Sequence, residues 1–309
     1  MEGVIENQGL PNLIIAGVNK SGTTSLFTYL SMHPEVCVSK IKETCHFLPV
    51  RYGEELSPLS EYKKYFGHYA GQKYIVESTP GYFYGGSKLA QAIKDSLGCI
   101  KIMIVFRDPI ERLFSFYKSQ KSILELNKDV SFEEYVKKCL SLENDKAALK
   151  DYDTYSGVMC GFYSDYINDW FETFGDENIK ILFFDYLKSD TRSFLREACQ
   201  WLDIDANFYD TTQFTVENKS VDYKNKALHK FARGFNKRFE RFFRKYPVIK
   251  QKVRNTYFKI NSRELRETIT EEDKTYLADL YEKSKQNLSL KLKEKGYNDL
   301  PNWLRMNHY

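Results

Sequence analysis

The sequence predicts an α/β fold, a central parallel sheet flanked by helices with a largely helical C-terminal part. Three observations predict it. Strand-like and helix-like segments alternate through the first half. The apolar run Asn12–Val18 ends in a glycine-bearing turn that opens a helix. The run Ile100–Phe106 (IKIMIVF) is apolar at almost every position, as a strand covered on both faces must be. Alternation of this kind implies parallel strands joined by right-handed crossovers.

Taken in order, Asn12–Val18 (NLIIAGV) is the first strand and Thr23–Met32 the helix after it, stopped near Pro34. Val36–Ser39 and Tyr74–Glu77 are short strands, the second closed by Thr79-Pro80-Gly81. Ser87–Ser96 has helical character. After the Ile100–Phe106 strand, Pro109 sits where a first helical turn tolerates proline, and that helix runs to about Glu125. Ile179–Phe184 is a further strand and Thr191–Leu202 a further helix. With no internal repeat, low-complexity tract or Gly/Pro-rich linker, residues 1–309 are expected to form a single domain.

The 309 residues are 42% hydrophobic and 28% charged, which excludes an intrinsically disordered chain. Apolar runs such as Leu13–Val18 fall far short of the ~20 residues needed to cross a bilayer. The first twelve residues carry Glu2 and Glu6 and no apolar core, so a secretory signal is not expected. Six cysteines without a CxxC pair suggest reduced thiols and a cytoplasmic location. The five histidines, at 33, 46, 68, 229 and 308, show no ligand spacing, so no metal site is expected. The net charge of +4 conceals an asymmetry: Lys219 to Arg254 holds 13 Lys/Arg against Asp222 and Glu240, a local +11 that leaves the remainder at −7. Within it Leu228, Phe231, Phe235, Phe239 and Phe242 recur at helical spacing, with Lys230, Arg233, Lys237, Arg241 and Arg244 around them. This predicts an amphipathic helix whose basic face is either merely solvated or meets an anionic partner, such as a glycan or a membrane surface.

The most informative stretch is Gly17-Val18-Asn19-Lys20-Ser21-Gly22-Thr23-Thr24-Ser25. Gly17 and Gly22 have the G-x-x-x-x-G spacing of a phosphate loop between a strand and a helix. Such a loop turns backbone N–H groups toward one point, and the helix N-terminus adds partial positive charge. A nucleoside-triphosphate loop continues Gly-Lys-Ser/Thr; here Gly22 is followed by Thr23 and the lysine lies inside the loop at Lys20. That arrangement suits a phosphate ester beside one flexible cation and is poorly made for a magnesium-bound β,γ-phosphate pair.

Gly-Val-Asn-Lys-Ser-Gly-Thr-Thr-Ser resembles the 5′-phosphosulfate loop of sulfotransferases that use 3′-phosphoadenosine 5′-phosphosulfate (PAPS). Phe106-Arg107-Asp108-Pro109, with Glu111-Arg112 and Ser115 downstream, is similar to the family's 3′-phosphate motif. Lys42-Glu43-Thr44-Cys45-His46-Phe47 resembles the Lys-Glu-x-His-Phe-Phe segment of the carbohydrate branch. Glu77-Ser78-Thr79-Pro80-x-Tyr82 is similar to a segment of heparan-sulfate-type and bacterial members, and Asp299–Leu304 to the end of bacterial members. The resemblance spans about Asn12 to Leu304. It implies a P-loop-like three-layer fold, PAPS as donor, adenosine 3′,5′-bisphosphate (PAP) as product, no metal requirement, and a hydroxyl acceptor on a carbohydrate or glycolipid.

The resemblance also assigns residues. Asn19, Lys20, Ser21, Gly22, Thr23, Thr24 and Ser25 would hold the 5′ side of the donor. Arg107 and Ser115 would hold the 3′-phosphate, with Lys219, and behind it Lys224 and Lys226, completing that site. Lys20 would stabilise the leaving phosphate; the alternative is a solvated loop lysine. Glu43 would be the general base; the alternative is a surface acid paired with Lys42 or Lys40. Cys45 either is inserted before His46 or takes the family histidine's position, which leaves His46 as second candidate base or as a packed ring beside Phe47. Arg107, at a strand end, requires an anion: the 3′-phosphate, or else Asp108 or Glu111. Ser115 could equally be a small packing residue. Ser78 stands where animal members carry lysine and receives no role. Two rival functions remain at this stage: an ATP-dependent small-molecule kinase, and a non-enzymatic protein that binds anionic surfaces through the basic segment. The latter carries no nucleic-acid motif.

Overall fold

The computed structural model describes residues 9–142, 153–214, 221–223, 228, 256, 262–264 and 267–305. Five strands, β1 (Leu13–Gly17), β2 (Val36–Val38), β3 (Tyr74–Ser78), β4 (Lys101–Phe106) and β5 (Ile179–Phe183), form one sheet in the order β2-β3-β1-β4-β5, and every pairing is parallel. The predicted parallel sheet is therefore present, with each predicted strand within about two residues of its expected bounds.

The sheet is covered on both faces, which is why its strands read as unbroken apolar runs. Ile14, Ile75, Ile102, Ile104 and Ile181 point to one side, where Leu89, Ile93, Trp170 and Phe171 meet them. Leu13, Ile15, Val76, Met103, Val105 and Leu182 point to the other, against Leu26, Leu30, Phe194, Leu195 and Leu202. The period-two alternation of Cβ directions assigns neighbouring residues to opposite layers. Helices α1 (Thr23–Leu30) and Thr191–Leu202 cover the second face; α4 (Gly86–Leu97) and Ser164–Phe174 cover the first.

Helix α5 (Pro109–Ser122) starts where Pro109 predicts, capped by Asp108, whose carboxylate accepts the Ile110 and Glu111 N–H groups at 2.9 Å each. It stops three residues before the expected Glu125, in a turn where Leu124 takes φ +63°. Four helices lie where the sequence reading named none. The second and third helices, α2 (Leu48–Arg51) and α3 (Leu59–Lys63), are too short for periodicity to reveal. Phe132–Ser141 does carry a signal, the capping box Ser131-x-x-Glu134. Phe184–Ser189 opens directly from β5. The long helix Glu271–Glu294 and Ser164–Phe174 realise the expected helical second half, which also contains an unexpected antiparallel pair, Val221–Tyr223 with Ser262–Glu264. The predicted amphipathic helix of the basic segment, and Lys219, Lys224 and Lys226, lie outside the described residues. Among the described residues no helix is long and apolar enough to cross a membrane.

Candidate active site

The strand order contains one reversal. After β1 the chain builds β2 and β3 on one side, then returns to lay β4 on the other side of β1. A crevice forms at the carboxyl ends of the strands where the order reverses. Each sequence-selected motif is the segment leaving one of these ends: the phosphate loop after β1, the Glu43 loop after β2, Ser78-Thr79-Pro80 from β3, Arg107 after β4. A cavity of about 530 Å³ lies there, lined by Asn19, Lys20, Gly22, Thr23, Thr24, Ser25, Glu43, Arg107 and Ser115 among others. A larger cleft, about 750 Å³, opens between α5, Phe132–Ser141 and the start of Glu271–Glu294. None of the strand-end motifs lines it, so size alone would have pointed to the wrong place.

The loop's shape depends on Gly22. It takes φ +81° as the residue capping α1, and a Cβ there would lie 2.6 Å from Leu187 Cδ2 and 2.8 Å from Phe184 Cδ2. With no side chain to cap the helix, the first turn presents Thr23, Thr24 and Ser25 along the cavity wall. Between Asn19 and Ser25, Ser21 is the exception. It is fully buried and does not line the cavity.

Lys20 stands at φ +69°, the left-handed conformation that costs a non-glycine residue about 1–2 kcal/mol. Burial pushes its ammonium pKa below the usual value, and the positive charges of Arg107, Lys42 and Lys118 push the same way against Glu43. Several cations thus converge on one half-enclosed cavity. Arg107 donates through Nη1 to the Lys20 carbonyl at 3.1 Å and through Nη2 to Glu111 Oε2 at 3.0 Å, and its guanidinium lies 4.5 Å from the Phe184 ring centre. Glu111, one of the two alternatives, is therefore its side-chain partner. The contact to the Lys20 carbonyl ties the β4 end to the phosphate loop. Ser115 faces the cavity from α5, joined one turn later by Ser119. Arg112 does not reach the cavity: fully buried, it donates to the Gly157 carbonyl.

Glu43 lines the cavity, its side chain 55% exposed and paired with Lys42 Nζ at 2.8 Å. Its backbone N–H donates to the Ser78 carbonyl at 2.9 Å, and both Glu43 (φ +63°) and Cys45 (φ +58°) are left-handed. His46 points elsewhere. Its ring stacks on Tyr62 at 4.3 Å, Nδ1 lies 3.2 Å from Ser57 Oγ, and burial lowers its pKa. Cys45, not His46, therefore follows Thr44 on the Glu43 side, and His46 fills a packed aromatic position.

Sequence reasoning missed four participants. Ser119 and Lys118 follow Ser115 on the same helix and could have been found from that spacing. Phe184 opens a helix where a strand end was expected. Glu77 is fully buried at the end of β3, its carboxyl pushed up to about 7 by desolvation. The alternation of β3 does not mark it, because Glu77 replaces an apolar residue inside the sheet.

Residues 10–284 match the sulfotransferase domain family. The membrane-associated sulfotransferase kil1 of Dictyostelium discoideum is 34% identical over 127 residues, 40% of this chain and 26% of that protein. Heparan sulfate glucosamine 3-O-sulfotransferase 3B1 of Mus musculus is 28% identical over 209 residues, 65% of this chain and 49% of that protein. The chain thus spans about a quarter to a half of the length of these relatives. The crystal structure of a sulfotransferase from Alicyclobacillus acidocaldarius superposes with a TM-score of 0.57 at 22% identity, covering 73% of this chain and 90% of that one, which shows a shared fold. A match over most of its length, on a parallel sheet whose strand ends carry the motifs that suggested it, makes this chain a member of the sulfotransferase domain family.

Proposed function

We propose that the protein transfers a sulfuryl group from PAPS to a hydroxyl on a carbohydrate. The observation that carries this reading is the convergence of Lys20, Arg107 and the opening of α1 on one cavity, whose wall also carries the carboxylates Glu43 and Asp153. PAPS carries phosphate groups at both ends of its ribose, and such an anion relieves the repulsion that the neighbouring cations exert on the Lys20 ammonium. A volume of about 530 Å³ is in the range of small-ligand sites. The residues therefore fit the donor: the loop from Asn19 to Ser25 at the 5′ side, Arg107 and Ser115 at the 3′-phosphate. PAPS supplies a sulfuryl group already bonded to a good leaving group.

The protein's part is positioning and charge. Lys20 places a positive charge where the leaving phosphate gathers negative charge, and its lowered pKa makes it a better proton donor than an ordinary lysine. Glu43 takes the proton of the acceptor hydroxyl from the opposite side, as a single in-line displacement requires. The carbohydrate acceptor rests on the Lys42-Glu43 segment and on the kinship with heparan sulfate enzymes.

Labelled-sulfate transfer from PAPS to a panel of glycans, glycolipids and phenols, run with and without EDTA, tests the reading. Transfer should occur and be insensitive to EDTA, since the donor has no β,γ-phosphate pair to bridge. Loss of activity in EDTA, restored by magnesium with ATP as the preferred donor, would favour the kinase.

Arg107 gives a second test. The protein should prefer PAPS to adenosine 5′-phosphosulfate, which lacks only the 3′-phosphate. Arg107→Ala should weaken PAPS binding by about 2–4 kcal/mol and barely change the affinity for the other nucleotide. Isothermal titration yields the four affinities. Equal weakening of both ligands would show that Arg107 serves the loop through its Lys20 carbonyl contact and not the 3′-phosphate.

A further inference from the structure

Glu77 has no part in the reaction as described, yet its carboxyl lies directly beneath the segment that presents Glu43. Glu77 Oε1 accepts from Thr44 Oγ1 at 3.1 Å, from the Thr44 N–H at 3.4 Å and from Thr79 Oγ1 at 2.5 Å. Thr79 Oγ1 in turn accepts the Cys45 N–H at 3.2 Å. The two residues flanking Thr44 are the left-handed Glu43 and Cys45. One buried oxygen thus gathers the Thr44 N–H directly and the Cys45 N–H through Thr79. Oε2 is buried without a hydrogen-bond partner. A fully buried carboxyl with only one oxygen engaged is a costly device for stability alone.

We propose that Glu77 is a positioning residue for acceptor activation, holding the Glu43–Cys45 turn from below so that the Glu43 carboxylate faces the acceptor. This inference rests on Glu43 being the base. Hydrogen bonds to an ionised carboxylate are roughly twice as strong as those to a neutral acid. The turn is therefore held tightest when Glu77 is charged and loosens when it takes up a proton.

The surroundings set that equilibrium near neutrality. Desolvation pushes the Glu77 pKa up to about 7, while the hydrogen bonds from Thr79 and Thr44 and the charge of Lys42 pull it down. The other titratable groups facing it are Cys45 from the same turn, Tyr62 from Leu59–Lys63 and Tyr82 from the 80–85 turn. The pKa of each is raised, so all three are neutral at pH 7 and Lys42 is the opposing charge named here. The raised pKa has a definite sign for folding. Between the unfolded carboxyl's value near 4.5 and about 7, the folded protein binds the extra proton. The cost of the buried charge is in full force above about 7 and is relieved as pH falls toward 4.5. Acidification therefore stabilises the fold through Glu77 while it slackens the turn, and a residue with only a structural role would not separate the two.

Glu77→Gln, which copies the neutral acid in shape, separates them. Three measurements on the full chain suffice: hydrogen exchange of the 42–48 segment followed by mass spectrometry, thermal melting, and titration with PAP. At pH 8 the variant should lose protection of residues 42–48 by about tenfold, keep or raise its melting temperature, and bind PAP as the wild type does. Wild-type protection, corrected for intrinsic exchange, should fall through about pH 7; the variant's should be flat. With heparan sulfate as acceptor, kcat should fall by up to roughly a hundredfold, the scale of a small misplacement of a reacting group, and lose its dependence on pH around 7. Unchanged protection of 42–48, or loss spread equally over β1 and β3 with a lower melting temperature, would overturn the proposal. Glu43→Gln run in parallel separates the two readings. If Glu43→Gln is fully active the base assignment fails, whereas an inactive Glu43→Gln beside a wild-type-like Glu77→Gln sinks only the positioning role.

Discussion

Replacing Lys20 by alanine should lower turnover by roughly 10²–10³, about 3–4 kcal/mol, the loss typical of removing one charge or donor aimed at an anion formed in the transition state. The fold should survive. Lys20 is half-buried among like charges, and its pKa is lowered by burial first and by Arg107 next. For a lysine the sign is clear. A folded pKa below the unfolded value of 10.5 means that the charged form is penalised in the fold, fully at neutral pH, and that the penalty disappears only as pH rises toward 10.5. Truncation removes that penalty, so the melting temperature at pH 7 should stay level or rise. Alanine also meets the same left-handed backbone cost as lysine at φ +69°. Initial rates and a thermal melt on one preparation decide the matter. Near-normal turnover would reduce Lys20 to a loop lysine.

Glu43→Gln should slow transfer by roughly 10²–10⁴, the range for loss of a general base, and leave PAP affinity within about twofold. The split follows from where Glu43 lies. Its carboxylate is half exposed in the cavity wall and pairs with Lys42 at 2.8 Å. Rapid-quench single turnovers with PAP titration in parallel measure both halves. His46→Ala provides the contrast. With its ring stacked on Tyr62 and packed edge-on against Phe47, His46 should cost stability when truncated and leave the chemistry of the residual folded enzyme intact. An active Glu43→Gln with an inactive but folded His46→Ala would move the base to His46.

Particular residues show how much could be read in advance. The phosphate loop was legible because three requirements coincide in nine consecutive residues: a buried strand before it, glycines five apart, and a helix after it. Arg107 was legible because a charge at the end of an apolar strand needs a partner. The choice between Glu111 and a phosphate was not, since both lie within reach of a guanidinium and only the folded site shows the Glu111 contact. The position of His46 was not legible either. One extra residue between Glu43 and the histidine can be absorbed by shifting the register or by bulging the turn, and those alternatives have the same sequence. The folded chain settles it: with Glu43 and Cys45 left-handed on either side of Thr44, the His46 ring stacks on Tyr62.

The sequence by itself determined the parallel sheet and the order in which its strands and principal helices follow, because hydrophobic period, turn residues and helix starts are local properties. Tertiary structure alone decided what meets what. The reversal of strand order at β1 brings residues 20, 43 and 107 to one crevice, with Glu77 buried beneath it, although 87 positions separate Lys20 from Arg107. Burial alone turned Glu77 from an acid in a strand into a group that titrates near neutrality. Both depend on distances between segments remote in sequence and on exclusion of water, and neither distance nor desolvation is written in the residue order of any one segment.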